Sequence, residues 1–347
     1  MKKKNLCIDY LKITACFFVL TGHILQGLIK SGLIIQSAQI KWFLDSIYLF
    51  HVQLFFLCSG YLYSLSGQTR TKDHLKNIIH KAVSLGIPYF FFATLSWILR
   101  HFAGGSVNSE NISLPEFLFV SPVTAPYWYL YTLFILFILI PNIKKRTGIA
   151  ALAAVFLVLH IFSSSFAFSF VTLSVSQYGF WFVLGMLACS YEPLFKEKIS
   201  GLFGLIAGII LLILFTFVSF RLFAEGFVLA DGLISLILGT LACAGFYLLF
   251  MATCSNREAG ALEKLLIKYT FPVYLMHTIF AAMIRMVLLK AGILSPALHM
   301  ICGIVLSVTL STLCAWAAEK LIYPEFVIYP HKVINRFRTS SSSSQAS

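Results

Sequence analysis

Residues 7–29 read CIDYLKITACFFVLTGHILQGLI. The stretch is apolar and exceeds the ~20 residues that a helix needs to cross a bilayer. It nevertheless carries Asp9, Lys12 and His23. A charge at bilayer depth costs roughly 2.5–3.5 kcal/mol on insertion scales, so such residues face a bundle interior or a polar path. At ~100° per residue, Lys12 and His23 differ by only ~20° around the axis, and Asp9 and His23 by ~40°. All three therefore share one stripe of one helix, with Lys12 and His23 ~16 Å apart along it. The stripe is expected to wall a polar path from the inner headgroups to the outer half of the membrane.

The rest of the chain has the same character. Of 347 residues, 59% are hydrophobic and 11% charged, against about 45–50% and ~25% in a soluble domain. A polytopic membrane protein is expected, all-α because runs of this length span as helices. The net charge of +13 is what membrane topology demands of basic loops, so it does not call for nucleic acid. The eight cysteines lie in or beside apolar spans with no CxxC pair. They read as small core residues, with no disulfide framework and no metal site. MKKKN before a long, charge-bearing run reads as an uncleaved first span, because no small-x-small cleavage site follows.

Hydropathy predicts about ten spans, near 7–29, 42–65, 83–102, 127–142, 149–167, 174–190, 201–222, 229–253, 269–289 and 297–322. With the N-terminus inside, eighteen of the 26 Lys and Arg fall in inner segments, five in outer segments and three within spans or at their ends. That asymmetry is what the positive-inside rule requires, and it places both termini in the cytoplasm. A single domain is expected over 1–325. A basic, then Ser-rich, cytoplasmic tail follows over 326–347. The inner loop SLSGQTRTKDHLKNIIHKAV is basic and leads to Pro88, and the outer loop AGGSVNSENISLPEFLFVSPVTAP is long and nearly neutral.

Further polar residues recur inside the spans. His51 opens HVQLFFLCSGYLYS at the outer start of the second span. His277 lies in FPVYLMHTIF, with Arg285 eight residues on and ~80° away around the helix. Glu319 lies near the inner end of the tenth span. Each has a plain alternative. Lys12 and Arg285 reach headgroups by snorkelling, His51 sits at an interface, His277 is a packing histidine, and Ser59-Gly60 permits close helix approach. His23 resists such an account, because Asp9 and Lys12 share its stripe and imidazole suits proton transfer near neutral pH. No Walker A, HExxH, GxSxG or Gly-rich dinucleotide motif occurs. A secondary transporter with an intramembrane polar path, or a structural subunit, are the competing classes.

The segment IDYLKITACFFVLTGH resembles the opening of the acyltransferase-3 family of integral-membrane acyltransferases, with its acidic residue, then a basic residue, ten residues and a histidine. HVQLFFLCSGYLY, YWYLYTLFILFILIP, SQYGFWFVLGML and FPVYLMHTIF are similar to later family segments, in order. The resemblance implies O-acetyl transfer from cytoplasmic acetyl-CoA (acyl-CoA) to a hydroxyl of an extracytoplasmic or lipid-linked glycan, that is, polysaccharide modification at a bacterial cell membrane. It implies catalytic roles for His23, Lys12 and Asp9, and donor binding through Lys81 and Lys76. His51, His277, Arg285 and Glu319 would line the site, with Arg285 or His277 stabilising the oxyanion. One departure stands out: where the family has Arg-x-x-Arg before the third span, this chain has Lys81 and Ser84.

The charge asymmetry makes a direct prediction. With native cysteines removed, an impermeant thiol reagent outside the cell should label a cysteine placed at Ser109 and spare one placed at Thr147. The opposite pattern would overturn the orientation.

Overall fold

The computed structural model describes residues 5–66, 71–102, 112–120, 126–166, 169–255 and 257–336. Among these, the regular structure is entirely helical. In chain order the helices are α1 (Leu6–Lys30), α2 (Ala38–Tyr48), α3 (His51–Leu65), α4 (Thr71–Phe102), α5 (Leu114–Phe119), α6 (Trp128–Leu139), α7 (Arg146–Ile161), α8 (Phe170–Ile199), α9 (Leu202–Ala224), α10 (Gly232–Cys254), α11 (Ala261–Lys290), α12 (Pro296–Ala318) and α13 (Ile322–Ile328). Several starts are written in the sequence. Ser37 and Ser295 cap α2 and α12 by accepting from Ile40 and Leu298 amides, and Ser169 with Thr172 forms a capping box on α8.

Eight segments of the described residues are long and apolar enough to cross a membrane, with α2 and α3 together making one of them. The expected fourth and fifth spans appear as α6 and α7, of 12 and 16 residues. At ~1.5 Å per residue they measure ~18 and ~24 Å.

α1 is the hub, packing against α2, α3, α10, α11 and α12. Its closest relationship is with α11, which runs parallel to it. The Tyr10 hydroxyl donates to Glu263, and Cys16 Sγ donates to the Thr270 carbonyl at 3.7 Å. The His23 and His277 rings lie 5.4 Å apart, and Gly27 sits under Arg285. Two helices parallel in this way start on the same side of a bilayer.

The expected second span is broken. α2 ends and α3 begins across Leu49 and Phe50, so His51 lies at a mid-segment break rather than at an outer start. A break in a membrane helix frees carbonyls that must be satisfied locally. The His51 imidazole Nδ1 bonds the Ile47 carbonyl, and Gln53 donates to Tyr48 O at 3.3 Å.

The C-terminal end also differs from expectation. The boundary drawn at 325 falls inside α13, and residues 330–336 are helical too. Ile328, Tyr329 and Val333 are buried. Pro272 has no N–H, which leaves the Lys268 carbonyl of α11 without its helical donor. The Tyr329 hydroxyl donates to that carbonyl at 3.3 Å. Glu319, at the C-terminal cap of α12, accepts from Lys268 at 2.6 Å and lies 3.6 Å from Lys332. The segment is thus tied to the same end of the bundle as the start of α1. The Ser-rich stretch beyond 336 lies outside the described residues. All eight cysteines are free. Five are buried as expected, but Cys314 is exposed and is no core residue.

The tightest helix contact is α3 on α8. A Cβ on Gly60 would collide with the Phe182 carbonyl, and one on Gly185 with the Leu57 carbonyl. These obstacles are backbone and cannot swing aside. Gly60→Ala and Gly185→Ala should each destabilise by about 1–3 kcal/mol, the usual cost of overpacking. Thermal stability followed by detergent size-exclusion chromatography should fall for both, and an unchanged melting profile would refute the packing.

Candidate active site

A cavity of about 300 Å³ opens beside the N-terminal half of α1. Lys12 contributes from α1 and Lys81, Asn77 and Leu85 from α4. Asn77, Lys81 and Leu85 are spaced by four residues, so one face of α4 presents all three. Phe55, Ser59 and Tyr63 of α3, Tyr129, Leu133 and Phe137 of α6, and Thr270 and Tyr274 of α11 close the remaining walls.

The two cations are placed differently. Lys12 is partly buried and lies 3.6 Å from Asp9, an i,i+3 ion pair on α1. Lys81 holds its ammonium 4.4 Å from the Phe137 ring centroid, a cation–π contact on the cavity wall. Lys76 is exposed and does not line the cavity. Ser84 is also outside it, and its hydroxyl is folded back on the His80 carbonyl at 2.7 Å.

The end of the cavity toward the start of α1 is cationic and the deep end is aromatic and hydroxylic. Ser59 and Tyr129 hydroxyls are 2.9 Å apart. Phe55, Tyr129 and Tyr274 pack against one another with ring centroids 5.4 to 5.8 Å apart. Tyr274 lies one helical turn before His277, and their rings are 6.1 Å apart. The Tyr274 hydroxyl donates to the Pro126 carbonyl, and the Tyr127 hydroxyl donates to the Leu275 carbonyl at 3.0 Å. These two bonds fix the lead-in to α6 against α11 just where the histidine sits.

Beyond the aromatic end lies the histidine pair. His277 is fully buried, and its Nδ1 is 2.7 Å from the Tyr274 carbonyl and 3.1 Å from the Val273 carbonyl. Carbonyls only accept, so Nδ1 carries the proton and Nε2 of the neutral ring is bare. That Nε2 is buried with no partner among the described residues. An acceptor nitrogen is suited to receive a proton, not to donate to an oxyanion. His23 faces this ring and makes no hydrogen bond to the described residues. The ionisable groups acting on it are His277, His51, Arg100 and Lys30.

The structure therefore gathers Asp9, Lys12 and Lys81 at the cavity, and His23, His277 and His51 beyond it. Arg285 rests its guanidinium on Gly27, one turn past His23, and does not line the cavity. Glu319 belongs to the Lys268–Lys332 network at the end of the bundle where α1 starts and is not part of the histidine cluster. Sequence reading missed Tyr129, Tyr274 and Phe55, whose aromatic type looks like ordinary span filling. It also missed Arg100, which had been counted among the outer anchors. No group of three or more His, Cys, Asp or Glu side chains is arranged to hold a metal ion among the described residues.

A family model described as an acyltransferase domain matches residues 5–316. Nodulation protein NolL of Mesorhizobium japonicum is 32% identical over 137 residues, which cover 40% of this chain and 35% of that protein. Nodulation protein NolL of Sinorhizobium fredii is 26% identical over 141 residues, covering 39% and 36%. The matched stretch thus spans about a third of these relatives' length. No solved structure matches.

The Arg285 placement can be tested without any substrate. A Cβ on Gly27 would meet the tip of a flexible side chain rather than backbone. Gly27→Ala should move the guanidinium with a melting temperature close to wild type, in contrast to Gly60→Ala. A loss as large as that of Gly60→Ala would show Arg285 to be rigidly held.

Proposed function

The chain belongs to this acyltransferase family, and on that premise we propose that it moves an acyl group, acetyl in the simplest case, from cytoplasmic acyl-CoA to a glycan or lipid-linked sugar hydroxyl outside. The observation that carries the proposal is the line from Lys81 and Lys12, through the cavity, to the His23–His277 pair. About 300 Å³ is at the lower end of the range for small-molecule sites. A cationic inner end, aromatic walls and a few hydroxyls suit a thin, amide-bearing thioester arm whose anionic nucleotide stays outside.

In this reading the α1 end of the bundle faces the cytoplasm, with about ten crossings in a bacterial inner membrane. Lys12 holds the arm and Asp9 keeps Lys12 oriented. The acceptor hydroxyl approaches from the outer side. It gives its proton to His23, its oxygen bonds the acyl carbon, and the carbon–sulfur bond breaks. The proton taken up by the histidine pair passes to the leaving thiolate, which departs as coenzyme A. His277, with Nδ1 engaged and Nε2 bare, is placed to accept a proton from the neighbouring ring. A route in which His23 carries the acyl group briefly uses the same geometry. Arg100 and Arg285 add positive charge on the outer side of the pair, where the tetrahedral oxyanion would develop.

His23→Ala should lower turnover by ~10²–10⁴, the usual contribution of a general base. Coenzyme A release from radiolabelled acetyl-CoA by purified protein, at matched membrane levels, is the measurement. Near-normal turnover would remove His23 from the reaction. Lys81→Ala should raise the donor KM and change kcat much less, because a contact equal in ground and transition states affects KM alone. An unchanged KM would leave Lys81 as a topology anchor only.

A further inference from the structure

The departure at Ser84 poses a question that the C-terminal segment answers. The cationic mouth needs more than Lys81 to hold a nucleotide carrying several phosphate charges, and among the described side chains of α4 no second basic one lines the cavity. The residues that follow α13 supply one from outside the transmembrane bundle. The His331 ring lies 5.8 Å from the His80 ring of α4, with the planes at 57°. His80 directly precedes Lys81 in the chain.

The juxtaposition is built rather than incidental. α13 packs against both α4 and α12. Tyr329, two residues before His331, is buried and bonded to the carbonyl that Pro272 leaves open. Val333, two residues after it, is buried as well. Lys332 lies 3.8 Å from the Tyr329 ring centroid. His331 itself is half-exposed, so a ligand can reach it.

The charged groups beside His331 are cations, of which Lys332 is paired with Glu319. Burial first, then His80, Lys332 and Lys81, hold its pKa below the ordinary histidine value. No carboxylate is among the groups acting on it. Glu319 is already bonded to Lys268 and lies 3.6 Å from Lys332. An anion at this point would meet the half-exposed His331 imidazole beside His80 and Lys81, the kind of basic environment that phosphate oxygens require.

We propose that the C-terminal segment completes the donor site, with His331 and His80 joining Lys81 to bind the nucleotide phosphates of coenzyme A in place of a basic residue at Ser84. This rests on the acyl-CoA reading above. It makes the stretch from Tyr329 to Val333, beyond the last residue of the family match, part of the binding site.

The test is equilibrium binding of radiolabelled coenzyme A to the purified full-length protein, with competition by pantetheine, which has the arm but no phosphates. His331→Ala should raise the Kd for coenzyme A about tenfold, the low end for a charge-assisted hydrogen bond. His331→Lys should restore it, and the competition constant of pantetheine should be the same in all three proteins. An unchanged Kd in His331→Ala would overturn the proposal and leave the acyl-CoA reading standing. Equal weakening of coenzyme A and pantetheine would also overturn it, because that pattern reports damage to the fold. Absence of coenzyme A binding in the wild type would remove the donor reading and this proposal together.

Discussion

The parallel contact of α1 with α11 is the constraint on which the rest depends. Polar groups cannot be left unpaired against lipid, so each one on α1 needs a partner at the same depth. α11 supplies these at a nearly fixed sequence offset, 253 for Tyr10 with Glu263 and 254 for Cys16 with Thr270. The same register brings His23 to His277 and leaves room at Gly27 for Arg285. Sliding one helix by a turn would break all four contacts together. The other helices then have two tasks. α3, α4 and α6 enclose the cavity on one side of the pair, while α10 and α12 cover α1 elsewhere.

Small residues and prolines do different work in this frame. Gly60 and Gly185 let two backbones touch, which fixes Ser59 and its hydroxyl at the cavity wall. Gly27 makes space for a cation instead. Pro272 leaves a carbonyl open inside an otherwise continuous helix, and Tyr329 uses it as a docking point. A missing side chain or a missing N–H thus becomes a specific attachment.

Much of the centre was legible in the sequence. The stripe of Asp9, Lys12 and His23 follows from helical spacing alone, and a straight α1 preserves it. Lys81 was reachable only through the family resemblance, which puts it at the first basic position of the Arg-x-x-Arg that precedes the third span. The break at Leu49 and Phe50 was not legible, since neither residue is a helix breaker, and it shows only in the structure, where His51 and Gln53 bond the Ile47 and Tyr48 carbonyls. Lys76 looked equivalent to Lys81 by charge, yet it lies ~140° away around α4 and faces out. The aromatic end of the cavity was hidden by composition, because a Tyr that shapes a site and one that fills a core are the same letter. The C-terminal docking was hidden for a similar reason. A basic tail reads as a topology signal, and only the packing of Tyr329 and Val333 shows it folded back.

The shortness of α6 and α7 has a consequence for the surrounding lipid. On the ten-span reading, helices of ~18 and ~24 Å would not match a hydrocarbon layer of ~30 Å, and the bilayer beside them would have to thin or admit headgroups and water. α6 is also the helix that walls the cavity through Tyr129, Leu133 and Phe137. On that reading the pinched part of the membrane would lie next to the cavity, and a group held near His23 would be closer to outside water than the nominal membrane thickness suggests. Lipid thickness becomes a variable of the chemistry: longer acyl chains in the host bilayer would press against this flank and oppose the access that the short helices create.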